Sequence, residues 1–365
     1  MVIGDEQVGI YIDRDFPLED VEAIGTRLIN TGALIAGYLP PSAGMLGVSS
    51  IIYEQMQGFS FLILPDRNIV SRMARIGQGT ERQPFDGIAK LAVDLMAFAQ
   101  ALDIEIEPSI AFHELAHREG NEIAHRELSY FRGANEGQAL SWIGLAQGRH
   151  THSQEFVPAE LSTENLAAPL NRWNRNYLVA LKIADLELSP GTPRKRALAL
   201  VEWMSSDFFV AGPALFYGLM YFSPKAAKAG LFKQLRSPSR DLAIAGIRNA
   251  AWDITHVSDF VRRVSMADAK GAQMRHIFAT GDRRLSQLVK SAMAVTNEAE
   301  RLEIDLFSAL DSWWPEAEAK ELASEIARLL KRVEDRPPPT NLGAESDPVT
   351  AWTLDGEDRV RRAQC

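Results

Sequence analysis

The chain has 365 residues, 46% hydrophobic and 24% charged, and its 39 basic and 48 acidic side chains give a net charge of −9. This suits one enlarged globular domain or two, with a sizeable core, and excludes collagen, an uninterrupted coiled coil and wholesale disorder. It also excludes a protein held to nucleic acid by overall charge alone, though not a local basic groove. The single cysteine is Cys365, which rules out an internal disulfide or a cysteine-based metal centre and suits a reducing compartment.

In chain order, Met1–Glu6 lacks a basic and apolar leader, so no secretory signal and a cytoplasmic location are expected. Val8–Ile12 reads as a short strand, and Leu18–Leu34 has helical spacing. The uncharged stretches Leu28–Tyr53 and Phe208–Pro224 are broken by Pro40-Pro41 and Gly212-Pro213 and read as buried core, so no membrane partner is expected. Gly58–Leu64 is the clearest strand, with the near-continuous apolar run of a strand covered on both faces. A helix is predicted from about Asn68, another over Gly87–Leu102, a brief strand at Ile104–Ile106, and a helix opened by Pro108. From Gly133 to Arg248 the pattern is helical throughout. A strand returns at Met274–Thr280, and Glu316–Val333 forms an amphipathic helix with Leu322, Ile326, Leu329 and Leu330 on one face. The prolines after Arg336 open a polar tail expected to be disordered. The fold class expected is α/β. Residues 1–132 and 247–295 form its core, 133–246 a helical insertion, 296–335 C-terminal helices and 336–365 the tail.

Acidic residues at strand ends are candidates for chemistry, because open parallel sheets build their sites there. Asp66 follows the strongest strand and Asp282 follows the last one. Asp253, read as early in a helix, and Glu114 each lie within an apolar stripe, where a carboxylate is costly unless paired or metal-bound. Converging carboxylates repel, and Mg²⁺ or Mn²⁺, which favour oxygen ligands, remove that cost. A metal held in this way can activate water against a phosphodiester. As a structural alternative, Asp66 and Asp282 read as helix N-caps, and Asp253 as a partner of Arg248.

An apolar strand into Asp66-x-Asn68, Glu114 on an early helix, Asp253 on a later helix and a strand into Thr280-x-Asp282 resemble the PIN-domain nucleases. The resemblance covers residues 58–72, 106–117 and 247–290. It implies a three-layer α/β/α PIN-like core with a mostly parallel sheet and a Mg²⁺ or Mn²⁺ site. Asp66, Glu114, Asp253 and Asp282 would be metal ligands and catalytic acids, with Asn68 and Thr280 supporting them. Arg67 stands where the family has a small residue, and the long separation of Glu114 from Asp253 requires the helical insertion.

His113-Glu114-Leu115-Ala116-His117 is also an H-E-x-x-H sequence, whose histidines share one helix face and suit Zn²⁺, with Glu114 as base. Glu136, nineteen positions beyond His117 in Asn135-Glu136-Gly137, gives a spacing that resembles the gluzincin metalloproteases, with His113, His117 and Glu136 as ligands. That alternative leaves Asp66, Asp253 and Asp282 without a role.

Nucleic acid, with RNA favoured by the family likeness, is the expected partner. Phosphate contacts are sought at Arg283 and Arg284 after Asp282, at Arg194-Lys195-Arg196, at Arg262-Arg263, and along Lys225, Lys228, Lys233, Arg236 and Arg240. Trp142, Trp173 and Trp203 are candidates for base stacking or for the core. A third expectation is a catalytically inert scaffold of the same fold, with the C-terminal amphipathic helix supporting a homo-oligomer.

Overall fold

A computed structural model describes residues 13–38, 46–150, 156–161, 164–208, 210–225, 228, 230–295, 300–334 and 348–363. Its elements begin α1 (Leu18–Asn30), β1 (Leu34–Ala36), α2 (Val48–Met56), β2 (Ser60–Pro65), α3 (Arg67–Gly77), α4 (Gly87–Ala101), β3 (Glu105–Ile106), α5 (Ser109–Glu119), α6 (Asn121–Asn135) and α7 (Ala139–Ala146). They continue with α8 (Asn171–Leu188), α9 (Pro193–Ser206), α10 (Gly212–Phe222), α11 (Arg240–Ala269), β4 (Met274–Ala279), α12 (Arg283–Ala294), α13 (Leu302–Asp311), α14 (Glu316–Glu334) and α15 (Pro348–Arg362). The chain divides into two compact units. One is Met1–Phe112, Asn121–Glu164 and Met266–Gly281; the other is His113–Gly120, Asn165–Ser265 and Asp282–Cys365. The strand expected over Val8–Ile12 lies outside the described residues.

The first unit is built on β2. Phe61 to Pro65 are all buried. Successive strand side chains point to opposite faces, so both faces of β2 are covered, as its continuous apolar run required. β2 runs parallel to β4 on one side, with Leu62 opposite His276, and parallel to β3 on the other, with Leu62 opposite Glu105. β1 joins the far side of β4 in antiparallel register, Leu34 opposite Ala279, giving the order β1-β4-β2-β3. The sheet is therefore mostly parallel, and helices supply the crossovers that parallel neighbours need.

The sequence pattern did not separate β1 from α1. Helical spacing continues to Leu34, but α1 stops at Asn30 and Gly32 adopts a φ of 67°. That left-handed conformation suits glycine and turns the chain into a strand too short to show alternation.

One buried ion pair ties α2 to the sheet. Glu54 is 0% exposed, and its Oε2 accepts from Arg275 Nε at 3.0 Å. The Arg275 guanidinium also lies 3.7 Å from the centre of the Phe59 ring and 5.1 Å from that of Tyr38. Planar guanidinium suits both the carboxylate and the aromatic faces.

The second unit is helical throughout its described residues. From Ala214 to Phe222, every residue of α10 is buried. Gly218 sits where α8 and α9 approach, and a β-carbon there would fall 2.3 Å from Leu200 and 3.2 Å from Ile183. Trp314 is buried and donates from Nε1 to Leu219 O at 3.1 Å. Among the described residues no helix is long and apolar enough to cross a membrane.

Three expectations about organisation differ from what is found. Of residues 247–295, only Met266–Gly281 group with the sheet; residues from Asp282 onward group with the helices. Asp253 is not early in its helix, because α11 begins at Arg240 and runs for 30 residues. The tail expected to be disordered over 336–365 contains α15. This helix was not apparent because it carries few apolar residues: Val349 and Val360 are buried, and Gly356 is close-packed on Leu181 of α8.

Removing Arg275 while keeping Glu54 leaves a fully buried carboxylate without its cation. Arg275→Met should therefore destabilise the first unit by about 3–5 kcal/mol in urea unfolding. A loss below about 1 kcal/mol would show that the pair does not hold α2 to β4.

Candidate functional site

The carboxyl end of the parallel strands carries the first candidate acid. Asp66 follows Pro65, the last residue of β2, and is 3% exposed. Its backbone N–H donates to Ala279 O at 2.9 Å, which places it beside the end of β4. One side-chain oxygen caps α3 by accepting from Ile69 N at 3.0 Å, and the other accepts from Thr280 Oγ1 at 2.5 Å. The resemblance implied a supporting role for Thr280, and its hydroxyl meets Asp66. Asn68 is exposed, and its described bond is a backbone one, Ser71 Oγ to Asn68 O at 3.0 Å. Arg67 is buried, donates to Glu127 Oε2 at 2.7 Å and lies over the Phe112 ring at 5.9 Å.

Asp282 follows Thr280 by two residues, a covalent span of at most about 7 Å between Cα atoms. It is exposed and caps α12, accepting from Arg284 N at 2.7 Å and Leu285 N at 3.2 Å. The N-cap reading thus holds for Asp66 and Asp282. Asp253 and Asp282 act on the same group, the fully buried Tyr217 hydroxyl. Burial first, and then Asp253, Tyr221 and Asp282, push the Tyr217 phenol well up from its ordinary value, while Arg284 opposes them. The Tyr217 hydroxyl donates to Leu231 O at 2.6 Å.

Glu114 meets α11 through a residue that the sequence reading did not single out. Its Oε2 accepts from His256 Nε2 at 3.2 Å, and His256 is buried. His256 lies three positions after Asp253, so the two share a helix face; that spacing was available in the sequence. The family likeness gave Glu114 and Asp253 as ligands of one metal; the bond found from Glu114 to α11 is to His256.

The two histidines of H-E-x-x-H each meet a backbone carbonyl. His113 Nδ1 lies 2.7 Å from Leu166 O, and His117 Nε2 lies 3.1 Å from Ala168 O. A carbonyl only accepts, so each of those nitrogens carries its hydrogen and is not a metal ligand in this arrangement. Glu136, the third zinc candidate, is exposed and belongs to the other compact unit. Among the described residues no group of three or more His, Cys, Asp or Glu side chains is gathered to hold a metal ion.

Most of the candidate phosphate contacts are engaged in holding the fold. Arg196, Lys228 and Arg236 surround the buried Glu187 at 2.9, 3.1 and 3.2 Å, and Arg262 and Arg263 bind Asp259 at 2.8 and 2.7 Å. Arg194 pairs with Glu321 at 2.9 Å, and Arg240 donates to Val360 O. Arg248, considered as a partner of Asp253, donates to Glu357 Oε1 at 2.9 Å. Trp142 is core, with Nε1 on Ala134 O at 3.1 Å, and Trp203 stacks on Phe208 at 5.0 Å.

Trp173 has a different setting. It lines a cavity of about 880 Å³ within the second unit, and Glu114 lines the same space. One wall of the cavity is α15, fastened by Glu357. The Glu357 carboxylate accepts from the Tyr177 hydroxyl at 2.5 Å, from Arg248 at 2.9 Å and from Arg361 at 2.8 Å. Burial alone would raise its pKa, but the hydrogen bonds from Tyr177 and Arg248 and the nearby positive charge outweigh burial, and the carboxyl is held below its ordinary value. Tyr177 is shifted the other way, up, by burial and by Glu357, with Arg248 opposing. Sequence reasoning missed this cluster, because Tyr177 and Glu357 are 180 positions apart and belong to no motif.

The sign of the Glu357 shift sets a pH dependence. A carboxyl whose folded pKa is depressed stabilises the fold above its unfolded value, about 4.3, and that contribution is lost as pH falls through the lower folded value. On acidification below about pH 4.3, amide exchange in α15 should rise, and Glu357→Gln should flatten that rise. An α15 exchange profile with the same acid dependence in Glu357→Gln would assign the effect to other groups. No family model, no curated protein and no solved structure matches this chain.

Proposed function

We propose that the chain is a nuclease that hydrolyses phosphodiester bonds with the help of Mg²⁺ or Mn²⁺, on a PIN-like α/β/α core, with RNA as its substrate. The observation that carries the reading is Asp66, buried at the carboxyl end of β2 and bonded to Thr280 at the end of the parallel neighbour β4. Carboxyl ends of parallel strands are where open α/β sheets place their ligands. The chain then delivers Asp282 two residues later. Glu114 is fastened to α11 three positions from Asp253.

The donor chemistry of Asp66, Glu114, Asp253 and Asp282 suits a hard divalent cation. As they stand, the described residues gather no set of three such ligands, and both oxygens of Asp66 are engaged. A cation at Asp66 would have to displace one of those bonds. The chain's own residues would position rather than react: Thr280 orients the Asp66 carboxylate, His256 orients Glu114, and Arg283, exposed in the first turn of α12, is the cation proposed to meet a phosphate.

The test is cleavage of a labelled single-stranded RNA with Mn²⁺ or with EDTA. Asp66→Asn and Asp282→Asn should each lower the Mn²⁺-dependent rate by about 100-fold or more, as loss of a charged transition-state contact does. His117→Ala should retain most of it. RNA cleavage insensitive to both aspartate changes would overturn the reading, as would zinc bound by the wild type and lost in His117→Ala.

A further inference from the structure

We infer that the cavity beneath α15 binds one nucleotide, with its base against Trp173 and Trp252 and its phosphate toward Arg118, Arg248 and Arg361. The ligand class rests on the nuclease reading; the site itself rests on the following geometry. Its volume of about 880 Å³ falls in the range of small-molecule sites, about 300–1,000 Å³. It lies wholly among residues of the second unit.

Aromatic rings dominate one side. The Trp173 and Trp252 rings are 5.5 Å apart at 37°, the Tyr177 ring stacks on Trp173 at 4.9 Å, and His117 lies 5.4 Å from Trp252. His117 also stacks on Trp173 at 6.0 Å. All four residues line the cavity; Trp252 and Tyr177 are 6% and 2% exposed, so Trp173 and His117 offer most of the ring surface to a flat heterocycle, and stacking tolerates any base. Cations line the other part. The side chains of Arg118, Arg248 and Arg361 are 56%, 53% and 43% exposed, so their heads are wet. Each guanidinium has five N–H donors. The bonds to Glu119 and Glu357 occupy only some of them, leaving donors for the oxygens of a phosphate. Of the acids in the lining, the buried Glu357 is committed to Tyr177, Arg248 and Arg361 and the half-buried Glu114 to His256, while Asp241 is exposed. Glu357 and Glu114 therefore offer a phosphate less repulsion than free carboxylates would, and three arginines stand in the lining against Asp241.

This arrangement favours a planar ring joined to an anion over either alone. A bare anion would find arginines already partly paired, and a bare cation would meet three of them.

The experiment measures binding to the full chain in EDTA, which removes metal-dependent cleavage from the readout. Calorimetry is run with adenosine 5′-monophosphate, adenosine, inorganic phosphate and a short single-stranded RNA. The expected result is binding of the monophosphate, with adenosine and phosphate each at least about tenfold weaker. Trp173→Leu should weaken the monophosphate about tenfold, the size of one lost stacking contact. Arg118→Gln, at an exposed position bonded to its neighbour Glu119, keeps the test valid if Trp173→Leu misfolds, and should also weaken binding. RNA held no more weakly than the monophosphate assigns the site to substrate; monophosphate held much more tightly than RNA assigns it to a free nucleotide, and either supports the inference. Absence of monophosphate binding, equal affinity for phosphate alone, or affinity unchanged in both variants would overturn it. Binding that survives Asp66→Asn while cleavage fails separates this site from the nuclease reading; a chain that cleaves RNA but does not bind the monophosphate overturns this inference alone.

Discussion

A buried carboxylate must find a donor, and in this chain that requirement joins distant segments. Glu54 reaches Arg275 across 221 positions, Asp66 reaches Thr280 across 214, Glu114 reaches His256 across 142 and Tyr177 reaches Glu357 across 180. Glu187 draws Arg196, Lys228 and Arg236 around itself. Each of these acids would be costly to bury alone. Apolar packing brings elements together; these bonds fix which residue faces which.

The same requirement explains how much of the fold could be read in advance. Where apolar pattern decides the structure, the sequence was legible. Phe61–Leu64 declare a strand covered on both faces, and β4 follows the same logic. Pro108 precedes α5, and the stripe through Leu322 and Ile326 gives α14. Where a polar contact decides it, the sequence was silent. α15 carries few apolar residues, and its hold on α8 depends on Glu357 and on the close approach at Gly356, neither of which has a local signature. β1 is three residues long and takes its identity from pairing with β4.

The candidate site was legible in part for a related reason. A carboxylate at a strand end is visible in sequence, and Asp66 and Thr280 do meet. The partner of Glu114 was not visible, because any polar residue on the facing side of α11 could have supplied it; the structure selects His256, one turn beyond Asp253. The histidines of the H-E-x-x-H sequence look like metal ligands in one dimension. In three, their ring nitrogens fasten the segment around Leu166 and Ala168. Asp66 belongs to one compact unit and Glu114, Asp253 and Asp282 to the other.

The most direct test of the acidic site is to titrate Mn²⁺ into isotopically labelled protein and follow paramagnetic broadening of backbone signals. On the proposed reading, Mn²⁺ displaces the bonds that now occupy Asp66, and broadening centres on Asp66 and Thr280 and is reversed by excess Mg²⁺. Broadening spread evenly over exposed acids, or none at millimolar Mn²⁺, would contradict it.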